Sequence, residues 1–171
     1  MEYNLFRFFL FVVSCAFAAS CEDPVGKNER ALPPDNHEKV TIPQGVWGNV
    51  WFWDGNFMPT TDNSSHGTIT PVEREIRVHQ ATRFDSVTSS NGGMGGVFFD
   101  SILTKQIATL RSDNTGFFQI ELPPGKYSFF VKEDSLYYEN GVDSAGHLVS
   151  ASVTANSVTK RQLDITYRAA Y

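Results

Sequence analysis

The feature that most constrains the fold is an alternating pattern on both sides of a Pro-Pro-Gly turn, over residues 116–132. Apolar side chains occupy every second position before and after residues 123–125. Because successive side chains of a strand point to opposite faces, each run can bury one face against a core. The pattern predicts a hairpin centred on Pro124 and Gly125, with one apolar face. The expected cross-strand pairs are Leu122–Tyr127, Ile120–Phe129 and Phe118–Val131.

The remainder of the sequence after residue 45 also favours β structure. Short alternating runs recur at residues 72–78, 149–154 and 162–167, between segments rich in turn residues. No run has the apolar spacing of an amphipathic helix. The sequence therefore predicts an all-β domain over residues 45–171, with turn-rich loops at 61–67 and 88–96.

The segment 112–131 resembles the carboxypeptidase regulatory-like domain. The resemblance rests on Asp113, on Gly116-Phe117-Phe118 and on Leu122-Pro-Pro-Gly125-Lys-Tyr127, with Ser112 where the family usually has Thr. It implies a prealbumin-like (transthyretin-like), seven-stranded antiparallel β-sandwich. Such domains are mostly non-catalytic modules, so the resemblance implies a fold rather than a reaction.

The first twenty residues are typical of a secretory signal. Residues 8–13 form a dense apolar run that continues more weakly to residue 18, which is too short to span a membrane of about 30 Å. Ala18-Ala19-Ser20-Cys21 resembles the lipobox of bacterial lipoproteins, which implies lipidation of Cys21. Lipidation at Cys15 and simple cleavage after Ala18 are the alternatives. Cleavage before Cys21 would leave a single cysteine, whose presence lipidation explains.

Residues 21–44 differ in composition from the domain that follows. They contain four of the eight prolines and several charged residues without apolar periodicity, which predicts a flexible tether. Together with Gly45-Val46-Trp47-Gly48, Glu75-Ile76-Arg77-Val78 and the closing run from Ile165 to Tyr171, this organisation resembles small lipoproteins of the Bacteroidetes. We therefore expect an outer-membrane lipoprotein of a bacterial envelope, facing the periplasm or the cell surface.

Charge and ligand spacing exclude several kinds of site. The net charge of −5 argues against binding to nucleic acid. The four histidines show no metal-ligand spacing, and surface positions are expected for them. The sequence predicts no metal, no cofactor and no catalytic residue; the glycine-rich segment 91–96 lacks a nucleotide-binding pattern.

Aromatic residues suggest a binding surface. All three tryptophans, Trp47, Trp51 and Trp53, fall on one face of a predicted strand, whereas Val50 and Phe52 fall on the other. Two arrangements are open. Either the tryptophans fill the core, or they form an exposed face that suits sugar rings or a protein partner, to which Tyr137 and Tyr138 could contribute.

Four serines follow aspartate and precede an apolar or small residue. This pattern resembles the O-glycosylation signal of Bacteroidetes, and the expected acceptors are Ser86, Ser101, Ser135 and Ser144. Taken together, the sequence predicts a lipid-anchored, non-catalytic module that binds a protein or glycan. A small hydrolase on the same fold and a structural envelope protein are the alternatives.

Overall fold

A computed structural model describes residues 32–59, 67–89 and 96–171, and their regular structure is almost entirely β. The expected all-β class is confirmed. Besides two short 3-10 helices at His37–Lys39 and Phe84–Ser86, this part of the chain forms twelve strands. In chain order they are β1 (Gly45–Asn56), β2 (Thr68–Pro71), β3 (Glu75–Gln80), β4 (Val87–Thr88), β5 (Phe98–Phe99), β6 (Ser101–Ile102), β7 (Gln106–Arg111), β8 (Phe117–Ile120), β9 (Gly125–Glu133), β10 (Leu136–Tyr138), β11 (Ser150–Val153) and β12 (Val158–Ala170).

The strands form two main sheets. In the first sheet, β1 is central: it pairs with β12 on one side and with β2 and β8 on the other. The second sheet has the order β5-β10-β9-β3-β7, and β11 also pairs with β9. Most pairs are antiparallel, but β1 and β12 are parallel, a departure from the fully antiparallel sandwich that was expected. The strands β4 and β6 form a separate two-stranded ribbon.

The core lies between the two sheets. Val46 and Val50 of β1 face Phe129 of β9, and the side chains of all three are fully buried. The even-numbered side chains of β1 therefore face the core, and the tryptophans lie on the outer face of the first sheet. A smaller apolar cluster, formed by Phe99, Phe130 and Leu148, lies apart from this core.

The predicted hairpin at residues 116–132 is wrong in its pairing but right about the buried face. β8 pairs with β1 in the first sheet, whereas β9 pairs with β3, β10 and β11 in the second. The Pro-Pro-Gly turn therefore carries the chain from one sheet to the other. Prolines lack the N–H groups that a continuous ladder needs. Phe118 and Phe129 meet across the core, with ring centroids 6.1 Å apart.

The other predicted strands are found as β3, β11 and β12. The predicted loops at 61–67 and 88–96 lie largely outside the described residues. The expectation of surface histidines is wrong for His79, which is buried at the end of β3 with its Nδ1 atom 3.0 Å from the carbonyl oxygen of Thr104. Burial lowers the pKa of His79.

The predicted flexible tether is corrected over residues 35–44. These residues, which we call the strap, lie across the outer face of the first sheet. Asn36 is only 2% exposed, and its amide donates a hydrogen bond of 2.7 Å to Oδ1 of Asn49. Lys39 donates to the Asp113 carboxylate at 2.9 Å. The packed domain therefore begins before residue 45, and residues 21–31 lie outside the described part.

Candidate functional site

The outer face of the first sheet has a covered half and an open half. Strand alternation places Trp47, Asn49, Trp51 and Trp53 in a row on this face of β1. The strap covers the first two, and the second two are half-buried. The boundary between Asn49 and Trp51 therefore determines which aromatic rings a ligand can reach.

The covered half is tightly packed. Trp47 is 5% exposed, and the His37 ring lies edge-on to it at 5.5 Å. The ammonium group of Lys160, on β12, lies 5.2 Å from the centre of the indole ring. Asn49 donates to the carbonyl oxygen of Asp35 at 2.8 Å and accepts from Asn36, so its buried amide is paired at both ends. Trp47 is therefore a structural residue and is not available to a ligand.

The open half is built around Trp53. Its ring centroid lies 5.0 Å from that of Phe57, and the Phe57 ring lies 5.8 Å from that of Tyr171. Tyr171 is 67% exposed and the neighbouring Met58 is 49% exposed. We call Trp51, Trp53, Phe57 and Tyr171 the open aromatic face. Apolar exposure of this kind is typical of interaction surfaces.

Polar groups from β12 border this face. The indole N–H of Trp53 donates to Oδ1 of Asp164 at 3.0 Å, and the amide of Gln162 donates to the same oxygen at 3.1 Å. Asp164 lies opposite Trp51 in the parallel register of β1 and β12. Partial burial and the charge of Asp164 raise the pKa of Tyr171.

The indole N–H of Trp51 is a buried hydrogen-bond donor on the open aromatic face. The Nε1 atom is buried and has no hydrogen-bond partner among the described residues. Buried donors are nearly always paired, since an unpaired donor loses its hydration without compensation. An acceptor at this position, from water or a ligand, would remove that cost.

The five aromatic residues predicted as one surface are not brought together. Trp51 and Trp53 lie on the open aromatic face, but Trp47 lies under the strap. Tyr138 is buried in the core between the sheets, and Tyr137 packs against the smaller apolar cluster of the second sheet. The prediction is wrong for Trp47 because the strap covers it. It is wrong for Tyr137 and Tyr138 because β10 belongs to the second sheet, where adjacent residues point to opposite faces.

Sequence reasoning missed Phe57, Tyr171, Gln162 and Asp164. The alternation of polar residues at 162 and 164 with Leu163 and Ile165 already indicated an outward face of β12. Its neighbour could not be identified, because nothing in the sequence shows that the first and last strands pair in parallel.

A second polar cluster surrounds Asp143. Its Oδ2 atom accepts hydrogen bonds from Lys126 at 2.8 Å and Ser150 at 2.7 Å, and lies 3.2 Å from Nδ1 of His147. These bonds from Lys126 and Ser150 hold the pKa of Asp143 far below its ordinary value. Ser150 contacts the carboxylate, whereas a nucleophilic serine needs a base such as histidine at hydrogen-bond distance. The cluster therefore stabilises the loop and does not form a triad.

The expected O-glycosylation sites differ in their surroundings. Ser135 and Ser144 are exposed on turns, whereas Ser86 and Ser101 are half-buried. The hydroxyl of Ser86 donates to Asp85 at 2.9 Å, and that of Ser101 lies 2.6 Å from the hydroxyl of Thr88. Cys21 lies outside the described residues.

Comparisons with protein-family models, curated proteins and solved structures found no match to this chain. In the described ranges, no group of three or more histidine, cysteine, aspartate or glutamate residues is arranged to hold a metal ion. Across those same residues, no helix is long and apolar enough to cross a membrane.

Proposed function

We propose that this protein is a lipid-anchored, non-catalytic binding module of the bacterial envelope. It would bind a glycan or a protein on the open aromatic face of a prealbumin-like sandwich. The observation that carries this proposal is the aromatic cluster beside the Asp164 carboxylate, in which Trp53 and Phe57 are half-buried and Tyr171 is exposed. Water-exposed aromatic rings are costly unless a partner covers them, which favours a binding role.

The roles of the motif residues support the proposed relationship to the regulatory-like domains. Asp113 Oδ1 accepts the N–H groups of Thr115 at 2.8 Å and Phe117 at 3.0 Å, which closes the turn before β8. Gly116 has a φ of +79°, and the hydroxyl of Tyr127 donates to the carbonyl oxygen of Pro123 at 2.9 Å. Asp113, Gly116 and Tyr127 thus have roles in the backbone of the two turns, as expected of a signature that specifies a fold.

The alternative of a small hydrolase has less support. The cluster at Asp143 has the connectivity of a loop brace, and His79 is enclosed in the fold against the Phe130 ring at 5.8 Å. The Thr104 hydroxyl lies 3.5 Å from Nδ1 of His79, but His79 is buried, and the Ser150 hydroxyl donates to a carboxylate. Neither arrangement places a solvent-accessible histidine base beside a hydroxyl within the described residues. A purely structural protein is the second alternative, and it would not require a partly exposed aromatic cluster.

Retention assays test the binding proposal. The full-length chain in detergent is passed over immobilised panels of neutral and anionic polysaccharides and of basic and acidic peptides. We expect one class of probe to retain the wild-type chain and the Tyr137→Phe control, and Trp53→Ala to lose retention. Absence of retention on every panel, or equal retention of Trp53→Ala, would contradict the proposal.

The proposed lipid anchor at Cys21 is tested in a separate experiment. Cells that express the chain are labelled with a radioactive fatty acid, and the envelope is fractionated. Cys21→Ser should lose the label and leave the membrane fraction, whereas Cys15→Ser should keep both. Label that depends on Cys15, or no label on the wild-type chain, would refute lipidation at Cys21.

We also propose O-glycosylation, with Ser135 and Ser144 as the most accessible acceptors. Intact mass of the native protein tests this modification. A mass equal to that of the lipidated polypeptide would exclude it, whereas added hexose masses that disappear in Ser135→Ala or Ser144→Ala would locate it.

A further inference from the structure

We infer that the ligand of the open aromatic face is a neutral glycan, and that Asp164 is the residue that determines this specificity. The inference rests on the proposed binding function and deepens it. It is carried by the arrangement of one carboxylate, one amide and two indole rings on neighbouring strands.

The rings are held in place before a ligand arrives. The hydrogen bond from Trp53 to Asp164 fixes the indole, and Phe57 packs against it at 5.0 Å. The Phe57 ring lies over Gly67, where an added Cβ atom would come within 2.5 Å of the ring. A preorganised ring loses little entropy on binding. Sugar rings present an apolar C–H face that packs on such aromatic surfaces.

The polar groups fit hydroxyls better than charged groups. The Oδ1 atom of Asp164 already accepts two hydrogen bonds, whereas Oδ2 makes none to any described residue. A carboxylate oxygen accepts strong hydrogen bonds from hydroxyl donors. The buried Nε1 of Trp51, opposite Asp164, is a donor that needs an acceptor, and a hydroxyl oxygen would satisfy it. One hydroxyl group can both donate and accept, which matches this pair.

The negative charge of the protein favours a neutral glycan over an anionic one. The net charge of the chain is −5, and Asp164 has no basic residue within ion-pair distance among those described. Asp54, also on β1, is 3.5 Å from Arg168, which offsets its charge. An anionic polysaccharide would therefore be repelled by Asp164. A strongly basic peptide would be expected to need a cluster of carboxylates, whereas Asp164 supplies a single carboxylate.

Affinity electrophoresis of the full-length chain in detergent tests the inference. The gels contain a neutral glucan, a neutral mannan, an anionic polyuronate or polylysine. The variants are Asp164→Asn, which keeps the acceptor for Trp53, then Trp53→Ala and Trp53→Phe, with Tyr137→Phe as the control. Near-ultraviolet circular dichroism verifies folding, and Trp53→Phe serves if Trp53→Ala does not fold.

We expect a neutral polysaccharide to retard the wild-type chain and Tyr137→Phe, and Asp164→Asn to bind it at least about tenfold more weakly. Trp53→Ala should lose binding, and Trp53→Phe should keep part of it. If Trp53→Ala loses binding while Asp164→Asn binds as the wild type, the binding function stands but the role of Asp164 is overturned. Preference for the polyuronate or polylysine overturns the neutral glycan. No retardation in any gel overturns both proposals.

Discussion

At the scale of single residues, the buried Asn36–Asn49 amide pair and the buried Glu139 carboxyl group differ in how fully they are hydrogen-bonded. The Asn36 and Asn49 amides satisfy each other and nearby carbonyl groups under the strap. Glu139 is also buried, but among the described residues its carboxyl group accepts only the N–H groups of Asn140 at 2.7 Å and Gly141 at 3.0 Å. Burial raises the pKa of Glu139 to about 8 despite these hydrogen bonds.

The side-chain amide of Asn36 should contribute measurably to the free energy of unfolding. Asn36→Gly keeps the left-handed backbone at φ +60° but leaves Asn49 with an unpaired buried oxygen. We expect a loss of about 1–3 kcal/mol in the free energy of unfolding, measured by urea denaturation. Glu38→Ala, at an exposed position of the same strap, should stay within about 0.5 kcal/mol of wild type. Equal effects of both variants would show that the strap is not held by this amide.

Glu139 should make stability fall as pH rises. The carboxyl group is protonated up to about pH 8 in the folded protein, but only up to about 4.5 in the unfolded chain. Between these values the folded state holds more protons, so its stability decreases with pH, by at most about 1.4 kcal/mol per unit.

Glu139→Gln keeps the amide oxygen as an acceptor for both N–H groups and removes this titration. Urea denaturation at pH 5 and pH 8 should therefore show the variant gaining stability relative to wild type at the higher pH. His79 titrates in the opposite direction, because its lowered pKa destabilises the fold as pH falls below about 6.5, and both chains share this effect. A constant difference between the two chains from pH 5 to pH 8 would refute the account of Glu139.

At the scale of elements, the turn at residues 113–116 positions β8 against β1. Asp113 closes the turn and also pairs with Lys39 of the strap. Although partial burial raises the pKa of Asp113, the hydrogen bonds from Lys39 and Thr115 lower it to about 2. One carboxylate therefore joins the turn to the strap.

Gly116 should tolerate substitution by alanine far less well than Gly96, which has a similar backbone conformation. Gly116 and Gly96 have φ values of +79° and +76°. Alanine at either position costs about 1–2 kcal/mol for the left-handed backbone. At Gly116 the added Cβ would also come within 2.6 Å of the Val50 carbonyl oxygen, whereas at Gly96 it meets no described atom within 4 Å.

Thermal unfolding of Gly116→Ala and Gly96→Ala separates these two costs. Gly116→Ala should lose at least about 1 kcal/mol more than Gly96→Ala, because only the former adds a backbone clash. The same loss in both variants would indicate that the Val50 carbonyl is not fixed by the β1 ladder.

The alternation in residues 116–132 identified the buried face but not the partner strands. Phe118 and Phe129 face the same core in a hairpin and in an arch between two sheets, so periodicity alone fits both. Pro123 and Pro124 favour the arch, because they remove the backbone donors at the end of β8. The pairing of β1 with β12 joins residues more than one hundred positions apart, a contact that no local pattern encodes.

At the scale of the whole molecule, the parallel pairing of the first and last strands defines the candidate site. β1 supplies the indole rings and β12 supplies Asp164 and Gln162, so the site exists only when both ends of the domain are in place. The sequence predicted an aromatic row on β1 and a sandwich. It could not predict that residues 35–44, the end of a segment with the composition of a linker, cover half of that row through polar contacts.

Single-tryptophan variants test whether the tryptophan row is divided into a covered and an open half. One variant of the full-length chain in detergent keeps only Trp47, and another keeps only Trp53, with phenylalanine at the other two positions. Acrylamide quenching of their fluorescence is then compared. We expect weak quenching and blue-shifted emission for Trp47, and several-fold stronger quenching for Trp53. Equal quenching, or stronger quenching of Trp47, would contradict this division.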